Sequence, residues 1–285
     1  MKVLTGKHRQ LTDTMSIVRV LPQVARRHVG PFVFLDHFGP TTIGPEGMDV
    51  PPHPHIGLAT VSVLFEGAIR HRDSLGSDAW IRPGAVNWMT SGRGIVHSER
   101  TEDYQGPLHG LQLWVALPDD EQDGEPRFHH HPAATLPTIE APGVRVDVMV
   151  GSWGDTTSPV PTLGPTHLAL AELDGGSVLE IPVSAEGEEL GVFVVRGRAQ
   201  VGDTTVDSDA LVVLDPARAR KGCWTLRAVE PTRVAVLGGK PVGPRTIAWN
   251  FVHSDPDTIR RAKEDWRAQR FPEVPGDREE RIPLP

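Results

Sequence analysis

The chain has 285 residues, 38% of them hydrophobic, with 29 Gly and 27 Pro and a formal net charge of −8. That length gives two domains of ordinary size, each with its own core. The acidic balance, 37 Asp and Glu against 29 Lys and Arg, argues against a general nucleic-acid binder, whose surface must neutralise phosphate. No apolar run approaches the roughly 18–20 residues that span a bilayer, and Met1 to Gln10 carries basic residues without the apolar stretch of a secretory signal. A single cysteine, Cys223, allows no internal disulfide and suits a reducing compartment. The expectation is a cytoplasmic protein, with Cys223 a small buried side chain.

In chain order the sequence reads as short β-type runs separated by Gly, Pro or Asp: Ala59 to Phe65, Val86 to Met89, Leu111 to Leu117 and Val144 to Val150. A second series follows at His167 to Leu173, Ser177 to Pro182, Leu190 to Arg196, Ala210 to Leu214 and Arg233 to Leu237. Many turn formers and a spacing of about 8–12 residues predict an all-β sandwich or barrel. Gly197-Arg198-Ala199-Gln200-Val201 alternates small or apolar with polar residues, as a half-buried antiparallel strand does.

The two halves echo each other. Val63 to Asp73 and Val192 to Asp203 both read as an apolar strand, a charged residue with Gly at the turn, an alternating strand and then Asp. Such a repeat implies duplicated barrels, expected at 1–131 and 132–253 with a helix and tail over 254–285; the joint falls in the Pro- and His-rich stretch Phe128 to Gly143. One helix is well marked. Asp255 caps it, Pro256 suits its first position, Ile259, Ala262 and Trp266 form an apolar stripe for packing on a barrel, and Phe271-Pro272 closes it. The basic residues Arg260, Arg261, Lys263, Arg267 and Arg270 are interleaved with Glu264 and Asp265, as on a solvated helix face.

His53-Pro54-His55 places two imidazoles on one face of an extended strand, and Pro52 and Pro54 keep the segment extended. His97-Ser98-Glu99 repeats that geometry after the turn-rich Ser91-Gly92-Arg93-Gly94. Brought onto facing strands, the two pairs give three imidazole nitrogens and a carboxylate oxygen, a set suited to Fe(II), Mn, Ni, Cu or Zn. A facial arrangement would leave positions open for substrate and oxygen.

Other residues are weaker candidates. His129-His130-His131 has neighbours pointing to opposite sides of an extended chain and no carboxylate at ligand spacing, which reads as a solvated inter-domain loop. His71, beside Arg72 and Asp73, reads as a polar strand end, and His109 as structural, near a pocket mouth. Ser98 alternates away from its neighbours and is no nucleophile. Trp88 and Trp114 read as core or pocket wall. Gly238-Gly239 lacks the Lys and Ser/Thr of a phosphate loop.

Three runs carry a family resemblance: Pro52 to Val61, His71-Arg72-Asp73-Ser74-Leu75-Gly76, and Asn87 to Glu99. With Gly30 to Phe38, Leu111-Gln112-Leu113-Trp114, Leu117-Pro118 and Val236 to Gly239, the chain resembles the pirin family over nearly its whole length. The resemblance implies an all-β fold of two cupin (jelly-roll β-barrel) domains in tandem. It also implies one metal, usually iron, in the first barrel on His53, His55, His97 and Glu99, and a second barrel that is typically empty. That second half has no His-x-His, and His167 is its only histidine between His131 and His253.

Some bacterial pirins are similar in activity to quercetin 2,3-dioxygenases, while animal pirins are iron-dependent nuclear co-regulators. The expected function is therefore Fe(II)-dependent cleavage of a flavonol-like aromatic enol by O₂ with loss of carbon monoxide. In that chemistry Glu99 serves as ligand and general base. The alternatives are an iron-dependent redox sensor or co-regulator that binds a protein partner without turnover, and a cupin enzyme for a smaller enol. The family leans to monomers. Asp36, His37 and Gln112 are candidates to orient the imidazoles. One departure is Ala59, where the family usually has an acidic residue; its loss is expected to widen or dry the pocket.

Overall fold

The computed structural model describes residues 1–10, 15–182, 186–214 and 223–285. It is built of strands, with one α-helix, Pro256–Arg267, among the described residues. Two compact units form. Of the described residues, one gathers 1–10, Ser16–His37 and those between Ala133 and Pro241; the other gathers Met15, Phe38–Pro132 and Val242–Pro285. These units cut across the sequential boundaries expected at 131 and 253. The physical reason is long-range pairing. Lys2–Thr5 hydrogen-bonds along Ala210–Val213, with Lys2 opposite Val213 and Thr5 opposite Ala210, so the N-terminal segment joins the barrel of the second half. The segment after Pro241 returns to the first, where Ile56 bridges Phe251.

Both units repeat one strand plan. In the unit holding Phe38–Pro132, a four-stranded sheet runs in the order Asp49–His55, Ile95–Arg100, Ile69–Asp73, Asp78–Ile81. In the other unit the order is Val178–Pro182, Cys223–Ala228, Arg198–Val201, Thr204–Asp207. Opposite the first lies a sheet containing, in order, Arg127–His131, Val86–Thr90, Leu58–Glu66 and Gly106–Ala116. Its counterpart contains Ala210–Val213, Glu189–Arg196 and Thr232–Gly239. The echoed turns fall at matching places, with Gly67 at φ +100° and Gly197 at φ +84°, backbone that a Cβ would strain.

The matched plan explains how the two barrels differ inside. Where the first presents His53 and His55 against His97, the second pairs Ile181 with Trp224 and Leu179 with Leu226. Those four side chains belong to its apolar core, with Val192, Val194, Ala199, Val212 and Val236. Cys223, expected buried, is half-buried at the start of its strand.

The helix forms as its sequence predicts. Asp255 accepts from the Asp257 N–H, Pro256 opens the first turn, and Ile259, Ala262 and Trp266 are buried. They pack with Ile56, Val96, Phe251 and Val274. The helix ends at Arg267, with the Ala268 N–H closing onto Glu264, short of the expected stop at Phe271.

Candidate metal centre

The histidines are placed by strand period and register. His53 and His55 share one face of Asp49–His55, and His97 lies directly opposite His53 on Ile95–Arg100. Gly57 follows His55 at φ +67°; a Cβ there would stand 1.9 Å from the Val252 carbonyl oxygen, so only glycine lets the chain pass Phe251–His253 this closely. His53, His55 and His97 are buried, and one ring nitrogen of each lies within 4.8 Å of the others. Among the described residues this is the one such cluster of potential ligands.

Each ring is turned by a bond from its other nitrogen. His53 Nδ1 donates to the Pro51 carbonyl at 2.9 Å, and His55 Nδ1 to the Asn250 carbonyl at 3.0 Å. His97 Nδ1 faces His71 Nδ1 at 3.4 Å, and His71 Nε2 donates to Asp73 Oδ2 at 3.0 Å. Asp73 is wholly buried and its other oxygen accepts from the Leu75 and Ser77 N–H groups. With Nδ1 so used, each Nε2 is left with a lone pair. Burial, above all, holds His53 down to about 4 and His55 and His97 well below 6.5, so all three are neutral and ready to ligate. The donor set fits a divalent ion of the borderline class.

Glu99 does not join this cluster. Paired opposite His71, it is half-buried and bonded to Ser62 Oγ at 3.1 Å. Burial is the largest influence on its carboxyl and raises its pKa, against the lowering effects of nearby His71 and the Ser62 bond. Ser62 Oγ also lies 2.8 Å from Gln112 Oε1. A hydroxyl has one proton, so with Ser62 donating to Glu99 the Gln112 amide turns its NH₂ to Ser62.

His71 is no polar strand end; it is fully buried, stacked on Phe128 with centroids 4.4 Å apart, and backs His97. The run His129-His130-His131 is no loop but part of the strand Arg127–His131, paired along Val86–Thr90, and His130 bonds Asn87. Of the proposed orienting groups, Gln112 meets Ser62, which bonds Glu99 and no imidazole. Asp36 and His37 belong to the other unit, where they bond Arg19 and Asp209. Ala59 pairs opposite Val115 and Thr90, on the face of its strand away from Ser62, so its side chain leaves the site unchanged. His109 packs edge-on against Phe65, a structural role. Ser98 faces away from the cluster and bonds Asp277. Trp114 meets His55 edge-on at 5.3 Å and forms part of the wall.

Residues 14–115 match the family model described as Pirin, and residues 169–272 match the Pirin C-terminal cupin domain. A pirin-like protein of Caulobacter vibrioides is 43% identical over 274 residues, 94% of this chain and 93% of its own. The crystal structure of a quercetin 2,3-dioxygenase from Acinetobacter baumannii superposes with a TM-score of 0.92 at 35% identity, covering 100% of this chain and 94% of that one. A second structure of that name from the same organism gives 0.87 at 26% identity, covering 95% and 97%. No helix among the described residues is long and apolar enough to cross a membrane.

Proposed function

Because this chain belongs to the pirin family, with both family domains matched, we propose that it is a metal-dependent dioxygenase. Its substrate class is an acidic aromatic enol of the flavonol type, such as quercetin, cleaved by O₂. The observation that carries this reading is the convergence of three neutral, buried imidazoles beside a carboxylate kept out of their cluster. The name of the Acinetobacter baumannii structure, similar over the whole chain, supports the reaction class.

We assign His53, His55 and His97 as the ligands and Glu99, held beside them by Ser62, as general base, with Fe(II) as the ion. When bound, the ion supplies Lewis acidity toward the enol oxygen and a route for electrons to O₂. The chain's own residues do the rest. Glu99 takes the enol proton, and its raised pKa makes it a stronger base than an exposed carboxylate. Ser62 holds the carboxylate in place by one hydrogen bond. The His97–His71–Asp73 chain fixes the tautomer that leaves His97 Nε2 free. Trp114 and Phe128 supply flat apolar surface beside the histidines, against which an aromatic ring packs.

The test is oxygen uptake by anaerobically Fe(II)-loaded protein given quercetin, with His97→Ala as control. One O₂ consumed per quercetin lost, and none in the variant, is the expected result. A fully loaded protein that consumes no O₂ overturns the reading in favour of an iron-dependent protein that senses redox state for a partner.

A further inference from the structure

The wall opposite the histidines carries a polar row. Register sets Gln112 opposite Ser62, Ser62 opposite Asn87 and Asn87 opposite His130, on four neighbouring strands. Directly opposed residues put their side chains on one face of a sheet. Contacts identify that face. Ser62 reaches Glu99, and in the adjacent row Trp114 meets His55 and Phe128 stacks on His71. Asn87 therefore looks toward the same interior as the catalytic carboxylate.

Asn87 is only 3% exposed. Its Oδ1 accepts from His130 Nδ1 at 2.6 Å, which fixes the amide, and its Nδ2 has no partner. A buried donor without an acceptor is costly, and native proteins pair nearly all such groups. The Asn87 oxygen is committed to His130, and Ser62, opposite it, is bonded to Glu99 and Gln112 rather than to the Asn87 amide. Asn87 lies on the strand next to Ser62 and directly opposite it, the residue whose hydroxyl holds the base.

We propose that Asn87 is the residue that recognises the substrate, its Nδ2 donating to a carbonyl oxygen adjacent to the enol hydroxyl. This rests on the dioxygenase reading and narrows its substrate class to α-hydroxy-enones. When Glu99 removes the enol proton, the negative charge spreads onto the neighbouring carbonyl oxygen. A fixed donor there binds the enolate more tightly than the neutral enol. His130, on the sheet's outer strand, positions the amide by holding its oxygen.

The test is equilibrium binding, by absorbance, of 3-hydroxyflavone and its 4-thiocarbonyl analogue, a poor acceptor, to anaerobic Fe(II)-loaded protein. Wild type is expected to favour the oxygen ligand by roughly tenfold, as loss of one buried hydrogen bond implies. Asn87→Leu, nearly isosteric, is expected to bind 3-hydroxyflavone about tenfold more weakly and to lose that preference. Asn87→Asp keeps an acceptor for His130 but removes the donor, and is expected to do the same, so the question survives if the leucine variant does not fold. Retained preference in either folded variant, or equal weakening toward both ligands, overturns the assignment of Asn87 while leaving the dioxygenase reading intact. Failure of wild type to bind 3-hydroxyflavone overturns both.

Discussion

The Nε2 atoms of His55 and His97 stand 3.1 Å apart, each on a ring whose Nδ1 is directed at another partner. Two facing lone pairs at that distance repel, and a cation between them relieves the repulsion. Burial, first of all, holds these rings well below 6.5 and His53 down to about 4. In the unfolded chain the imidazoles take protons near pH 6.5, and in the folded chain only at lower pH. Metal-free protein therefore keeps its full stability above about 6.5 and loses it as pH falls from there toward about 4. Protons compete with the ion only in the same acid range. Zinc or Fe(II) affinity, measured by chelator competition, is expected to be flat from pH 8 to 6 and to fall below pH 5. A midpoint near 6.5 would mean exposed, ordinary histidines.

The His97–His71–Asp73 chain gives a second prediction. His71→Phe preserves a ring to stack on Phe128 and removes the acceptor for His97 Nδ1. Orienting partners of ligating histidines are worth about 10–100-fold in metal affinity, and a loss of roughly tenfold is expected here because the His71–His97 contact is long. Asp73→Asn is expected to weaken binding as well, and also to lower the melting temperature, since Asp73 closes the turn through Leu75 and Ser77. Unchanged affinity in a folded His71→Phe protein would reduce His71 to packing.

The histidine cluster is legible because a strand has period two: His-x-His and His-x-Glu each put both side chains on one face whatever the rest of the chain does. His71 was hidden by its neighbours. Arg72 and Asp73 suggest an exposed strand end, yet alternation turns Arg72 outward and Asp73 inward. Asn87 and His130 acquire meaning only through cross-strand register, which no local pattern encodes. The same holds for Ala59, as the face it occupies depends on the register that sets Ser62 inward. The exchange of terminal segments between the barrels rests on pairings over some two hundred residues, such as Lys2 with Val213. The repeat itself was legible, since its turn glycines and strand spacing are local.

Glu99 and Ser62 separate base from ligand. Glu99→Gln keeps the size and the bond to Ser62 while removing the base. Metal binding is expected to persist, and quercetin-dependent oxygen uptake to fall by about a hundredfold or more. The base works only when ionised, so wild-type activity should be lost as pH falls through its raised pKa, an acid limb above the ordinary carboxylate range. Ser62→Ala removes a bond that lowers that pKa, and its limb should move further up. A pH–rate profile for the two proteins checks this; coincident acid limbs would assign the titration to another group.

Arg100 ends the strand that carries His97 and Glu99, and it forks onto Asp277 at 2.8 and 3.0 Å. Asp277 is nearly buried. Desolvation, the largest influence, raises its pKa, but Arg100 and Ser98 together outweigh it and lower the pKa. A carboxylate whose pKa is lower in the folded state stabilises above its unfolded value near 3.8, and that stabilisation is lost as pH falls through the folded pKa. Asp277→Ala leaves Arg100 with Asp49 at 3.3 Å and Glu280 at 3.5 Å. A loss of about 1–2 kcal/mol in urea unfolding at pH 7 is expected, at the low end because the guanidinium still reaches water. The loss should persist in high salt, since Asp277 is shielded. Arg93 and Glu125 pair in the open, and their removal should change nothing measurable. Because Arg100 anchors the ligand strand, Asp277→Ala should also weaken metal binding. If affinity holds while stability falls, the tail is a brace for the fold alone.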